Sequence, residues 1–433
     1  MKRALLSLAV GAALAATNPA AAAADPEQLL QKTEDKVIEW RRHIHQNPEL
    51  GNREVETASY IEKHLEQLGL EVETGIAHTG VVGLLKGGKP GPTVALRADM
   101  DALPVTEQVD LPFASKATTT FNGEEVGVMH ACGHDTHVAM LMGAAEVLAG
   151  MRDELQGNVL FVFQPAEEGA PEGEEGGAEL MLKEGLFKKY KPDVAFGQHV
   201  TSNLPTGVIG YRSGPLMASS DKFRIMVKGR QTHGSRPWGG VDPITTAAQI
   251  VMGTQTIVSR QIDITKEPAV VSFGKIDGGV RNNIIPDNVE LVGTIRNFDM
   301  DNRQRIFERL PITAENIARS AGAEADVTIY EGYPVTVNNP ELTKAALPTL
   351  REAAGEKKVI EIPKITGAED FSFFANEVPG FYYFLGVTPA GQDPAQAPSN
   401  HSPRFFVDEA ALQVGTEALT RLALDYMEQH SDG

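Results

Sequence analysis

The stretch MHACGHDTHVAM, residues 129–140, carries the chain's single cysteine and three of its eleven histidines. Cys132 has no partner for a disulfide within the chain. It is then either a small buried residue, the common fate of a lone cysteine, or a metal ligand, since thiolate and imidazole are donors that transition metals take. The twelve residues by themselves weigh the two readings equally. Donor types recur at the ends of what read as strands: Asp99 and Asp101 in RADMDALP, Glu167 and Glu168 in VFQPAEEG, His199 in FGQHV and His401 in SNHSPRF. Cys132 and His134 are two apart, so in extended chain they point the same way. Glu167 and Glu168 are adjacent and do not easily face one ion together. One could ligate while the other takes a proton from water. Singly, each donor has an ordinary reading as a core histidine or a solvated acid. Jointly, five or six donors at strand ends are hard to obtain by accident. His130 and His137 keep the ordinary reading, the first in a loop and the second on a helix surface.

The elements that must position these residues alternate along the chain. Apolar spacing in 26–50 and 57–70 predicts helices, the second stopped by Gly69, a good C-terminal glycine. TVALRADM and GNVLFVFQPAEE are apolar runs ending in acids, as buried strands of a mostly parallel sheet do, with ligands gathering at their C-terminal ends. DTHVAMLMGAAEVLAG reads as a helix with Asp135 as its N-cap. From about Met217 the order becomes β-α-β-β-α-β, a ferredoxin-like arrangement. The expected architecture is an α/β catalytic domain, a mostly parallel sheet flanked by helices, with an inserted ferredoxin-like α+β lid. Its segments are 25–215 and 333–433 for the catalytic domain and 216–332 for the lid. The glycine- and acid-rich 167–177 reads as a loop beside a functional spot.

Residues 1–24 read as a secretory signal peptide: Lys2 and Arg3, an apolar stretch Ala4–Ala16, then small residues before Asp25. The expected protein is exported, periplasmic or secreted. An exported thiol is open to oxidation unless it is tied up, and metal ligation would protect it. That moves the reading of Cys132 toward a ligand. The formal charge of −19 disfavours nucleic acid and anionic membrane as partners, since both select basic surfaces.

Across nearly the whole mature chain the sequence resembles the dinuclear metallopeptidase family of bacterial N-acyl-amino-acid amidohydrolases, hippurate hydrolases, carboxypeptidase-G-like enzymes and plant auxin-conjugate hydrolases. The resemblance is carried by RRHIHQNPELGNREVETASYI, ALRADMDALPV, MHACGHDTHVAMLMGAA, VFQPAEEG, GGAELMLKEGLF, THGSRPWGGVDPI, VRNNIIPDNVELVGTIR, GAEDFSFF and NHSPRF, in that order. The cysteine in HACGHD is similar to that of the amidohydrolase branch. The resemblance implies two divalent metal ions, zinc or manganese first, nickel or cobalt also suitable. It implies Cys132 as their bridge and His134, Glu168, His199 and His401 as the other ligands. It further implies Glu167 as general base and acid, and Asp101 as a carboxylate that orients a ligand. His233 resembles the histidine that polarises the scissile carbonyl, and Asn283 and Arg296 resemble lid residues that hold the substrate. In dimeric relatives that histidine reaches a neighbouring subunit, so a homo-oligomer through the lid is an expectation. Asp99 departs from other branches, which have a metal-binding histidine there.

The implied reaction is hydrolysis of N-acyl L-amino acids with aromatic or other bulky acyl groups. Rivals are a dipeptidase or an ochratoxin-type aryl-amide detoxifier of the same mechanism, and a non-catalytic metal- or solute-binding protein. Intact Glu167 argues against the last, because a protein that only binds metal needs no spare carboxylate.

Overall fold

A computed structural model describes residues 25–431, so the expected signal peptide, 1–24, lies outside the described residues. An eight-stranded sheet runs in the order Glu71–Ile76, Gly80–Lys86, Gln156–Gln164, Lys89–Asp99, Val194–Pro205, Gly380–Thr388, Ile209–Tyr211, Val359–Glu361. Its four middle strands, from Gln156–Gln164 to Gly380–Thr388, are parallel to one another. Helices cover them on both faces, which is why they read as unbroken apolar runs.

On one face the helices Pro26–Gln46, His134–Gly150 and Ala410–Gln429 pack together over the sheet. His134–Gly150 is buried almost all round, and Gly143 lets Val37 and Thr416 approach its backbone, where a Cβ would meet Val37 Cγ2 at 2.6 Å. The helix Val55–Gln67 does end as its sequence predicts, with Gly69 at φ +73° just beyond it. The N-cap expected at Asp135 is not there. The helix starts at His134, behind Gly133 at φ +98°. Asp135 lies within the first turn, held by Arg41 Nε at 2.8 Å and His45 Nδ1 at 2.9 Å. A buried guanidinium is the stronger competitor for the carboxylate than a backbone N–H at the cap.

Between Ser219 and Tyr330 a second, four-stranded antiparallel sheet has the order Ala269–Asp277, Asn288–Asn297, Ser219–Lys228, Glu324–Tyr330. The helices Pro243–Arg260 and Met300–Ser320 close a separate apolar core over it. The chain enters and leaves this layer side by side, since Gly214–Met217 pairs antiparallel with Thr336–Asn338. There Asp221 accepts from Arg303 Nη2 at 2.5 Å, from Arg303 Nε at 3.1 Å and from the Gly332 N–H at 3.1 Å. Among the described residues no helix is long and apolar enough to cross a membrane.

Candidate metal centre

The loops after the parallel strands bring the donors together, as the C-terminal edge of such a sheet does. Cys132, in the turn ahead of His134–Gly150, has its Sγ 3.3 Å from His199 Nε2 and 3.3 Å from His401 Nε2. Two groups of three donors share that sulfur: Cys132 with His134 and His199, and Cys132 with Glu168 and His401. In each, the ligand atoms lie within 4.8 Å of one another. A sulfur common to two such groups is the layout a bridging thiolate needs.

The supporting hydrogen bonds leave the donor atoms available. His134 Nδ1–H donates to the Asp101 carbonyl at 2.9 Å and to Asp101 Oδ1 at 3.1 Å, while its buried Nε2 has no protein partner. His199 Nδ1–H donates to the Val200 carbonyl at 2.6 Å, turning Nε2 toward the sulfur. His401 has φ +72° and is anchored through its N–H on the Ala131 carbonyl at 2.8 Å. Burial opposes charge on His134, but Asp99 and Asp101 outweigh it and lift the ring to about 10. Burial, reinforced by Glu168 and Glu167, holds the Cys132 thiol well above its ordinary range. Negative charge is in excess here, because the buried Arg97 is already committed to Asp99, Glu369 and Asp370 at 2.7, 2.9 and 2.8 Å. Neutral imidazoles aimed inward, one thiol and surplus carboxylate form a donor set that fits divalent metal.

Glu167 is buried beside these donors, with Oε2 3.9 Å from His134 Nε2. Burial, then Glu369 and Glu168, keeps its carboxyl well above the usual range. Its backbone is pinned from three sides. The Glu167 N–H donates to Asp101 Oδ1 at 3.1 Å and the Glu168 N–H to Asp101 Oδ2 at 3.0 Å. The Tyr333 hydroxyl, from the strand leaving the second layer, donates to the Glu167 carbonyl at 2.6 Å. Ala166, just before, has φ +51°, a left-handed conformation that costs a residue with a Cβ. Its N–H is held by buried Glu54 Oε1 at 2.9 Å, a carboxyl that burial and then Asp101 raise to about 7.

Asp101 thus serves one imidazole and two backbone N–H groups at once. Asp101→Asn, with one acceptor oxygen in place of two, is expected to weaken metal affinity by about 10–100-fold. Competition with a chromogenic chelator would measure it, and unchanged affinity would remove Asp101 from this role.

His137 is not on a helix surface, as its sequence position suggests, but buried. Its Nδ1–H donates to Asp99 Oδ1 at 2.5 Å and its Nε2 accepts the Val200 N–H at 2.8 Å. Both nitrogens are taken, so it braces the strand bearing His199 rather than offering a ligand. Asp99, bonded to Arg97 and His137, is a strut of the same brace. His130 is buried too, and neither ring nitrogen has a protein partner; burial lowers it to about 3, so it stays neutral. His199 sits within its strand, which runs on to Pro205, rather than at its end.

His233 and Asn283 come together in a small ribbon, where His233 pairs with Ile284 and the Gly234 N–H donates to the Asn283 carbonyl at 2.8 Å. Arg296 lies on a different strand of the second layer, Asn288–Asn297. Among the described residues no hydrogen bond, ion pair or ring contact joins these three to the metal-centre donors. Sequence reasoning passed over Asn400, whose Nδ2 bonds the Cys132 carbonyl at 2.9 Å and the Val200 carbonyl at 3.0 Å, stapling the His401 loop to the centre. It also passed over Glu54, Arg97 and Tyr333. Their signal was weak: a polar residue inside a quoted motif, with nothing in spacing to say what it touches.

The description of peptidase family M20/M25/M40 matches residues 95–425. The chain is 42% identical over 399 residues to thermostable carboxypeptidase 2 of Saccharolobus solfataricus, covering 92% of this chain and 97% of that protein. It is 38% identical over 396 residues to N-acetylcysteine deacetylase of Bacillus subtilis, covering 91% and 97%. Among solved structures it is similar to the YXEP protein of Bacillus subtilis, described as a dinuclear metal-binding peptidase of the M20 family, with TM-score 0.76, 36% identity and coverage of 92% and 99%.

Proposed function

The chain belongs to peptidase family M20/M25/M40, and from that premise we propose that it is an amidohydrolase that cleaves N-acyl L-amino acids to a carboxylic acid and a free amino acid. The observation that carries this reading is Glu167. It is buried against two donor groups that share Cys132 and belongs to neither of them. A protein that only stored metal would have no use for it.

In this reading Cys132, His134, Glu168, His199 and His401 hold two divalent cations, zinc or manganese first. When bound, these supply Lewis-acid polarisation of a water molecule and of the amide carbonyl. Glu167 takes a proton from the attacking water on a carboxylate oxygen and returns it to the leaving nitrogen. Asp101 and the Tyr333 hydroxyl keep that carboxylate in place through its backbone. On the lid, His233 Nδ1 accepts from the Ser235 N–H at 3.1 Å, so in the neutral ring the proton sits on Nε2, the tautomer that can donate to a carbonyl oxygen. Asn283 and Arg296 hold the amino-acid end. The name of the Bacillus subtilis deacetylase, an N-acyl amino acid hydrolase, supports the substrate class.

A panel of N-acyl L-amino acids tested on metal-reconstituted protein, with free amino acid measured, decides the matter. Release from several members is expected. If unblocked dipeptides are cleaved and no N-acyl compound is, the dipeptidase reading replaces this one.

A further inference from the structure

A cavity of about 910 Å³ opens beside the metal centre, with Asp101 and Glu168 in its wall. That volume is within the range of pockets that bury a small organic ligand. Every lining residue comes from the layer of the large sheet: the 48–53 segment, the 101–104 turn, the loop after Glu168 and the hairpin Thr118–Phe121/Glu124–Gly127. The hairpin turns on Asn122 and Gly123, both at positive φ, a pair suited to a tight two-residue turn. Phe121, at the end of the first hairpin strand, is 41% exposed and lines the cavity.

We propose that this cavity is the acyl subsite and that it selects uncharged, apolar acyl groups. The proposal rests on the amidohydrolase reading and adds where the acyl arm goes and what chemistry it must have. Two observations carry it. First, the non-polar wall is supplied by Leu50, Leu103, Pro104, Phe121 and Val128, with neutral threonines of the hairpin beside them. Second, the charged wall residues are Glu49, Asp101, Glu168 and Glu172 against one cation, Arg53. Arg53 is not available, because Glu174 holds it in two hydrogen bonds at 3.1 and 2.6 Å. A carboxylate placed here would be desolvated among acids with no counter-ion.

An N-acyl amino acid has a carboxylate on one side of its amide and none on the other, so the cavity's charge decides the orientation. The acyl arm enters it, and the amino-acid half, with its carboxylate, lies toward the lid. There Arg296 makes no hydrogen bond or ion pair among the described residues and Asn283 Oδ1 has no partner.

The test compares N-acetyl-, N-octanoyl-, N-benzoyl- and N-succinyl-L-alanine on metal-loaded protein, with released alanine measured. The wild-type protein is expected to prefer octanoyl and benzoyl and to process succinyl, which carries a second carboxylate, poorly. Leu103→Asp should lower the octanoyl-to-acetyl ratio of kcat/KM by about tenfold or more. Glu172→Lys should raise the succinyl-to-octanoyl ratio, a gain that misfolding cannot produce. Unchanged ratios in both variants would overturn the assignment. Calorimetric binding of octanamide scores the cavity separately from turnover. Weaker binding to Leu103→Asp supports it, and equal binding to both proteins overturns it. Should no panel member release alanine, the amidohydrolase reading falls while the octanamide result still decides whether the cavity takes apolar chains.

Discussion

Glu167→Gln is expected to keep its metals and to lose turnover by about a thousandfold, within the range that removal of a general base produces. The amide has the carboxylate's shape, and the bonds that place residue 167 are made by its backbone: its N–H and that of Glu168 to Asp101, its carbonyl to the Tyr333 hydroxyl. None of these is lost. What disappears is the ability to take a proton from water. Glu168→Ala is expected to fail differently. Glu168 Oε1 lies 2.9 Å from His401 Nε2, in the group that also contains Cys132, so its loss should lower metal content and, through it, activity. Metal analysis of both variants beside amino-acid release separates the two. If both lose metal alike, or both keep it alike, the division of labour between the adjacent glutamates is wrong.

Chelation is expected to abolish hydrolysis, with divalent metal restoring it, and the sharpest probe of how metal is held is Cys132. Its sulfur is 3.3 Å from an imidazole on either side and belongs to both donor groups, so one substitution touches both metal positions. Cys132→Ser should reduce bound metal and activity together, since a neutral hydroxyl bridges poorly. Cys132→Asp, which restores a charged donor able to span two cations, should recover part of the metal content. The thiol should resist alkylation in the loaded protein and react after stripping, because ligation occupies its lone pairs. Metal content measured on purified variants gives a readout that does not depend on substrate. A serine variant with full metal, or equal alkylation with and without metal, would return Cys132 to the role of a small buried residue.

The sequence alone determined which chemistry was present and roughly where along the chain. Strand runs ending in acids, the Cys-x-His spacing and the adjacent glutamates are local patterns, and burial on both faces of a parallel sheet writes itself into composition without reference to distant residues. The alternation of elements between Ser219 and Tyr330 was legible for the same reason. What a side chain touches was not. Asp135 looked like a helix cap because only its neighbours in sequence were visible; Arg41 and His45, some ninety residues away, decide otherwise. His137 looked exposed because a helix of small and apolar residues does not announce how much of it is covered. Tertiary packing buries it between Asp99 and the Val200 N–H and spends both of its nitrogens. The Glu54 carboxylate beneath Ala166, the Asn400 staple and the Tyr333 hydroxyl on the Glu167 carbonyl are likewise pairings across 112, 268 and 166 residues. Donor types are a property of residues, whereas which lone pair stays free for metal depends on where every other hydrogen bond goes, and that is settled only when the chain is folded.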